Sequence, residues 1–213
     1  MAKAILKPES VPNLDKLGRK RLSTNFFMRD FLYSEVANFH KICNIPDHPE
    51  VAFKAGAHLC KELLEPLHAT FGRVVIRSAY RSSEVNKFCN DRQKEKKVGY
   101  TCASNDKNYG RHIWDMPDEN GNLGAMACVL IPWFAERYEQ ERDWRPMAYW
   151  IHDHLPYSEL EFYPKYLAFN IGWHQQPKRT ISSYVEPRKI VMKSEFGQKH
   201  SEWYEGFPAL KMA

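Results

Sequence analysis

A chain of 213 residues that is 43% hydrophobic and 14% aromatic holds enough apolar material for one substantial core, which excludes a disordered or fibrous protein. Its formal charge of +5 is spread among acids, so no basic stripe with interleaved aromatics marks it for nucleic acid, and Lys94-Glu95-Lys96-Lys97 reads as a solvated loop. No apolar run approaches the roughly 20 residues that span a bilayer.

Residues 1–21 are rich in Lys and Pro and read as an N-terminal arm, 22–192 as the folded domain, and 193–213 as a C-terminal tail. The start, Met1 to Ser10, lacks an apolar signal core, so the expected setting is cytoplasmic at synthesis, with no signal peptide and no membrane partner. Apolar positions from Phe26 to Phe39 recur at helical spacing, with Ser23 or Thr24 as cap. Two prolines make a loop of Asn44 to Pro49, and a second helix is expected from Pro49 to Phe71, ended by Gly72.

Val74-Val75-Ile76 reads as a buried strand, and Ser82 or Ser83 before Glu84 as the start of a helix to about Asn90. Asp91 to Gly110 is a long polar loop, a length that is usually functional or mobile. Strand character is expected at His112 to Met116 and Ala125 to Ile131, with a hairpin turn at Asp118 to Asn122 between them. Pro132 to His154 is helical, with Asp143 able to start a second helix, and Leu167 to His174 and Arg179 to Val185 read as the last strands. Helices first and an antiparallel sheet after make an α+β domain.

Arg81 stands at the mouth of a strand, where a guanidinium can grip a carboxylate or phosphate through paired hydrogen bonds. The alternative is a structural ion pair with Glu84. His40, His48, His58, His68 and His200 lack a nearby acid in a ligand-like frame and are assigned to the surface or to helix packing. His152 and His154 flank Asp153 at a helix end, where a cation complements the dipole; a metal role for that triplet needs an extended chain. Cys43, Cys60, Cys89, Cys102 and Cys128 are odd in number with no CxxC pair, which argues for a reducing compartment. Neither Cys102 nor Cys128 sits in a nucleophile frame, so a cysteine hydrolase is the weakest reading.

Ser78-Ala79-Tyr80-Arg81-Ser82 with Asn86, after a short apolar strand, resembles the substrate-arginine motif of the zinc D-Ala-D-Ala carboxypeptidase family. That family shares its fold with the hedgehog signalling domain and with phage peptidoglycan endopeptidases. Asn25-Phe26-Phe27 with Asp30, Phe31 and Ser34 resembles its opening motif, and Leu63-Leu64-Glu65-Pro66-Leu67 its Leu-Leu-Asp-Pro-Leu helix. The resemblance runs from about Leu22 to about Ile190 and is sharp between Leu63 and Asn86. It implies N-terminal helices packed on a small antiparallel sheet, a hedgehog/DD-peptidase-like fold.

It further implies a Zn2+ ion held by His112, Asp115 and His174, since a catalytic zinc takes three such ligands and an open position for water. Gly172-Trp173-His174 matches the late Trp-x-His strand. The family loop Ser-x-His-x-x-Gly-x-Ala-x-Asp is departed from: aligning Ser104 puts Asp106 at the His position, while choosing His112 leaves two residues before Asp115. On an ideal strand those two side chains point to opposite faces. Glu161, ahead of Glu159, is the expected general base, and Arg81 with Ser78 and Tyr80 the expected substrate contact.

The implied function is a zinc peptidase cutting bonds beside D-amino acids in peptidoglycan stem peptides, with a phage particle or lysis cassette as the route to the wall. The alternative is a catalytically inactive member of the same fold that binds the cell wall or serves as a phage structural protein.

Overall fold

The computed structural model describes residues 7–190 and 200–212, with the side chains of residues 189 and 190 outside the description. Eight α-helices surround one six-stranded sheet among these residues: α1 Val11–Gly18, α2 Glu35–His40, α3 Pro49–Leu59, α4 Glu65–Phe71, α5 Ser83–Lys94, α6 Asn105–Asn108, α7 Pro132–Tyr138 and α8 Arg145–His154. The strands are β1 Val75–Ser78, β2 Gly124–Leu130, β3 Glu159–Phe162, β4 Phe169–His174, β5 Thr180–Ser183 and β6 Lys189–Ile190. They lie in the order β1-β2-β4-β3-β5-β6, antiparallel except for the parallel β3–β5 pair, and the fold is α+β as the sequence implies. None of the described helices is long and apolar enough to cross a membrane.

Alternation along the strands sends Ala127, Val129, Phe169, Ile171, Leu160 and Ile181 to one face, where they are buried under α3 and the turn that follows it. Gly56 of α3 lies so close to Trp114 that a Cβ there would stand 2.7 Å from the indole. The helix expected from Pro49 to Phe71 is present, but its hydrogen bonding widens to the π pattern over Cys60–Leu64. Pro66 has no N–H to give, and in a regular helix its ring would meet the carbonyl of Glu62; the wider turn relieves both.

The single helix expected from Ser23 to Phe39 does not form. Glu65 is buried and accepts hydrogen bonds from the Ser23 hydroxyl (2.7 Å), the Asn25 backbone N–H (2.6 Å) and the Asn25 amide (2.7 Å). Burial alone would raise the Glu65 pKa, and these donors hold it below its ordinary value. They fix Ser23 to Asn25 as a turn, followed by a 3-10 turn at Met28–Phe31 and then α2, capped by Ser34. Two of the resembling segments, around Asn25 and around Glu65, thus meet through one carboxylate.

His112 to Met116 is a turn rather than a strand, with only an isolated bridge between Tyr109 and Ile113. Asp118 to Asn122 is a turn, as expected, but joins no hairpin. β3 was not among the strands expected from pattern. The arm contains α1, whose Leu17 is buried, and within the tail Phe207 packs its ring on Trp133 at 5.1 Å and on Phe71 at 5.7 Å.

Candidate functional site

The face of the sheet opposite the core carries a row of polar residues set by register: Ser78 on β1, Cys128 on β2, Asn170 on β4, Glu161 on β3 and Ser182 on β5. Above the β1 end of this row lies a cavity of about 500 Å³, lined among others by Arg77, Ser78, Arg81, His112, Cys128 and Asn170. Ser82 caps α5 through its hydroxyl, which accepts the Val85 N–H at 3.2 Å, so the chain turns sharply and leaves Arg81 at the rim. The Arg81 backbone N–H donates to the His112 carbonyl at 2.8 Å.

The His112 ring meets the Ala79 carbonyl through Nδ1 at 2.8 Å. A carbonyl can only accept, so Nδ1 carries the proton and Nε2 is the acceptor. Burial, together with the charge of Arg81, brings the His112 pKa down to about 3, and the ring is neutral at pH 7.

Arg81 donates through Nη1 to the Cys102 sulfur at 3.2 Å and makes no ion pair with a carboxylate among the described residues, so the expected alternative, an ion pair with Glu84, is not formed; Glu35 lines the same cavity. Arg77 is exposed and makes no ion pair with an acid among the described residues. Cys102 is buried, and a hydrogen bond from Cys89 followed by the Arg81 charge lowers its pKa to about 7. Burial pushes the Cys128 thiol up to about 11. Neither thiol is hydrogen-bonded to a histidine among the described residues, which removes the nucleophile pairing a cysteine hydrolase needs.

His112, Asp115 and His174 are not brought together. Their ligand atoms form no metal-sized group; among the described residues only His152, Asp153 and His200 do so, with one ligand atom from each within 4.8 Å of the others. Asp115 is buried beneath Tyr80, accepting its hydroxyl at 3.0 Å and the backbone N–H groups of Asp47 (2.8 Å) and His48 (3.3 Å) at the start of α3. His174 lies in a second cavity of about 720 Å³ with Asp106, Arg111, Asp118, Glu159 and Lys178, its Nε2 3.2 Å from Asp118. The expected zinc set therefore fails for a local reason: the turn at 112–115 aims its two side chains at different protein partners.

The other expected roles divide. Ser78 and Arg81 line the first cavity. Tyr80 does not: its ring is fully buried, 6.0 Å from Trp114, and it supports Asp115. Glu161 accepts the Tyr163 hydroxyl at 2.6 Å and the Asn170 amide at 3.0 Å, both on Oε2. It pairs in register with Asn170, four residues from His174, or about 13 Å at ~3.3 Å per residue, too far to take a proton from water at His174. Glu159, the second choice for a base, does share the cavity of His174, but Arg111 (3.1 Å) and Lys178 (3.4 Å) neutralise it.

Sequence reasoning found Arg81 but missed its neighbour at the cavity, Arg77, for which its place in the strand next to Ser78 was the available signal. His200, assigned to the surface or to packing, is part of the metal-capable group and lies 47 positions from Asp153, beyond the reach of any local motif. Compared with protein-family models, curated proteins and solved structures, the chain matches none of them.

Proposed function

We propose that this chain is a binding module for anionic, carboxylate-bearing peptide, with the peptidoglycan stem peptide as the candidate ligand, and that it is a non-hydrolytic relative of the hedgehog/DD-peptidase fold. The observation that carries this reading is that Arg77 and Arg81, which pair with no carboxylate among the described residues, line a concave cavity of about 500 Å³. Neutral groups, Ser78, His112 Nε2 and Asn170, are placed beside them to orient a peptide. A guanidinium not paired with a carboxylate keeps donors for a carboxylate ligand, and paired hydrogen bonds fix the geometry. The zinc-peptidase alternative lacks converging ligands at His112, Asp115 and His174 and a base within reach at Glu161. Delivery by a phage particle would supply the route to the wall.

The test is calorimetric titration with an acyl-D-Ala-D-Ala peptide and with its C-terminal amide, together with a D-Ala release assay in added Zn2+. Binding of the free acid, at least about 10-fold weaker in Arg81→Gln and in the amide, with no release, is the expected result. Equal binding of acid and amide sinks the carboxylate role. Zinc-dependent release lost in His174→Ala restores the peptidase.

A further inference from the structure

Away from the groove, the C-terminal segment crosses the end of α8 at a group of metal-ligating side chains. His152 and Asp153 lie in the last turn of α8, and His200 opens the segment that folds back over it. The Asp153 side chain is 4% exposed, and its Oδ1 faces His200 Nδ1 at 2.9 Å. Its other oxygen is fixed by the His200 backbone N–H at 2.7 Å and the Tyr204 hydroxyl at 2.8 Å. His152 is fixed at Nδ1 by the Tyr157 hydroxyl at 2.8 Å, and its carbonyl accepts Arg179 Nη2 at 2.7 Å. Its Nε2 has no hydrogen-bond partner among the described residues.

We propose that His152, Asp153 and His200 bind one divalent ion of the zinc type, which clamps the segment 200–212 to α8. Two imidazoles and a carboxylate form a donor set suited to Zn2+ or Co2+ rather than to Mg2+ or Ca2+, which take all-oxygen shells. The ion takes the place of the direct contact between Asp153 Oδ1 and His200 Nδ1. Tyr157 and Tyr204 act as the outer shell that holds ring and carboxylate in position.

His154, the partner adjacent in sequence, is not part of the group. On a helix, two residues on is most of the way to the opposite side, and His154 instead stacks on Trp150 at 4.8 Å with Nδ1 on the Trp150 carbonyl. The clamp acts on real packing: beyond His200 the segment places Phe207 among Phe71, Trp133 and Phe134, and its Lys211 N–H donates to Thr70 Oγ1 at 3.0 Å.

The experiment uses the whole chain, stripped of metal and titrated with Zn2+ by calorimetry and with Co2+ by absorbance. One equivalent should bind. His152→Ala and His200→Ala should each weaken binding by more than the about 10- to 100-fold typical of an outer-shell loss, whereas His154→Gln and Arg81→Gln should bind as the parent does. Amide exchange over residues 201–212 should slow about 100-fold when free Zn2+ stands at 100 times its Kd, the protection expected of a ligand bound only to the docked state. Because His200→Ala removes a hydrogen bond as well as a ligand, His152→Gln, which leaves the Asp153–His200 contact in place, is the second variant. No binding at millimolar Zn2+, or an affinity equal to the parent's in His152→Gln and His200→Ala, overturns the site.

Discussion

Replacing Asp115 by Ala should destabilise the fold by about 4 kcal/mol while leaving metal content and ligand binding unchanged. The carboxylate is 1% exposed and accepts three hydrogen bonds, from Tyr80 Oη and from the N–H groups of Asp47 and His48. Tyr80 is fully buried, and orphaning its hydroxyl costs about 1–3 kcal/mol. The two backbone donors belong to exposed residues that water can reach, so each bond contributes about 0.5–1.5 kcal/mol. Loss of an anion at the N-terminus of α3 adds about 0.3–1 kcal/mol. Asp115→Asn should cost less, about 1–2 kcal/mol, because its carbonyl can serve the α3 donors while its amide donates to the Tyr80 oxygen. Urea unfolding followed by circular dichroism and tryptophan fluorescence reads both values. An Asp115→Ala protein within about 1 kcal/mol of the parent that has lost bound zinc would refute this reasoning and return Asp115 to the ligands.

Three further outcomes are expected. The folded His112 pKa of about 3 lies below its ordinary 6.5, so the unfolded chain binds that proton more readily. Its contribution is full above pH 6.5 and is lost as pH falls toward 3, at up to ~1.4 kcal/mol per pH unit; stability measured against pH should lose one proton's slope in His112→Gln, and an unchanged acid limb contradicts the assignment. Glu161→Gln should cost about 1–2 kcal/mol through weaker bonds to Tyr163 and Asn170; in a D-Ala release assay, a fall of about 100-fold from a measurable parent rate would instead mark it as a base. Gly124→Ala should destabilise by about 3 kcal/mol, since its Cβ would stand 2.0 Å from the Gly110 carbonyl oxygen and 2.7 Å from His174 Cδ2, and a melting curve matching the parent's would contradict that packing.

Local signals were legible wherever the chain satisfied itself locally. The Ser82 cap of α5, the end of the second helix at Gly72, which sits at φ 82°, and the break between α7 and α8 near Asp143 all follow from residues within a few positions of the event. What was not legible depends on distant partners. The Phe26 to Phe39 periodicity is that of a helix, but Glu65, 40 positions from Asn25, outbids the local preference with three hydrogen bonds. β3 hides because only four residues long, Glu-Leu-Glu-Phe, it becomes a strand by pairing on both sides. The polar row on the open face was hidden as well: in Gly-Ala-Met-Ala-Cys-Val-Leu both faces of β2 are small or apolar, so alternation does not announce which is solvated.

The same distinction separates the residues chosen for zinc from those that carry the binding proposal. Residue type alone makes His112, Asp115 and His174 good ligands, but three ligands of one ion also need a direction shared with one another. In the fold, Asp115 has both oxygens occupied by protein donors, His112 is anchored to the Ala79 carbonyl, and His174 is divided between Asp118 and the Gln176 backbone. Burial forced those partnerships, because an unpaired polar group away from water is costly. Arg77 and Arg81 are in the opposite condition: partly or fully in contact with solvent, they pair with no carboxylate among the described residues. A charge left unpaired beside a concavity is available to a ligand, whereas one already satisfied must first give up what it holds. On that criterion the binding proposal rests on the groove at the end of β1.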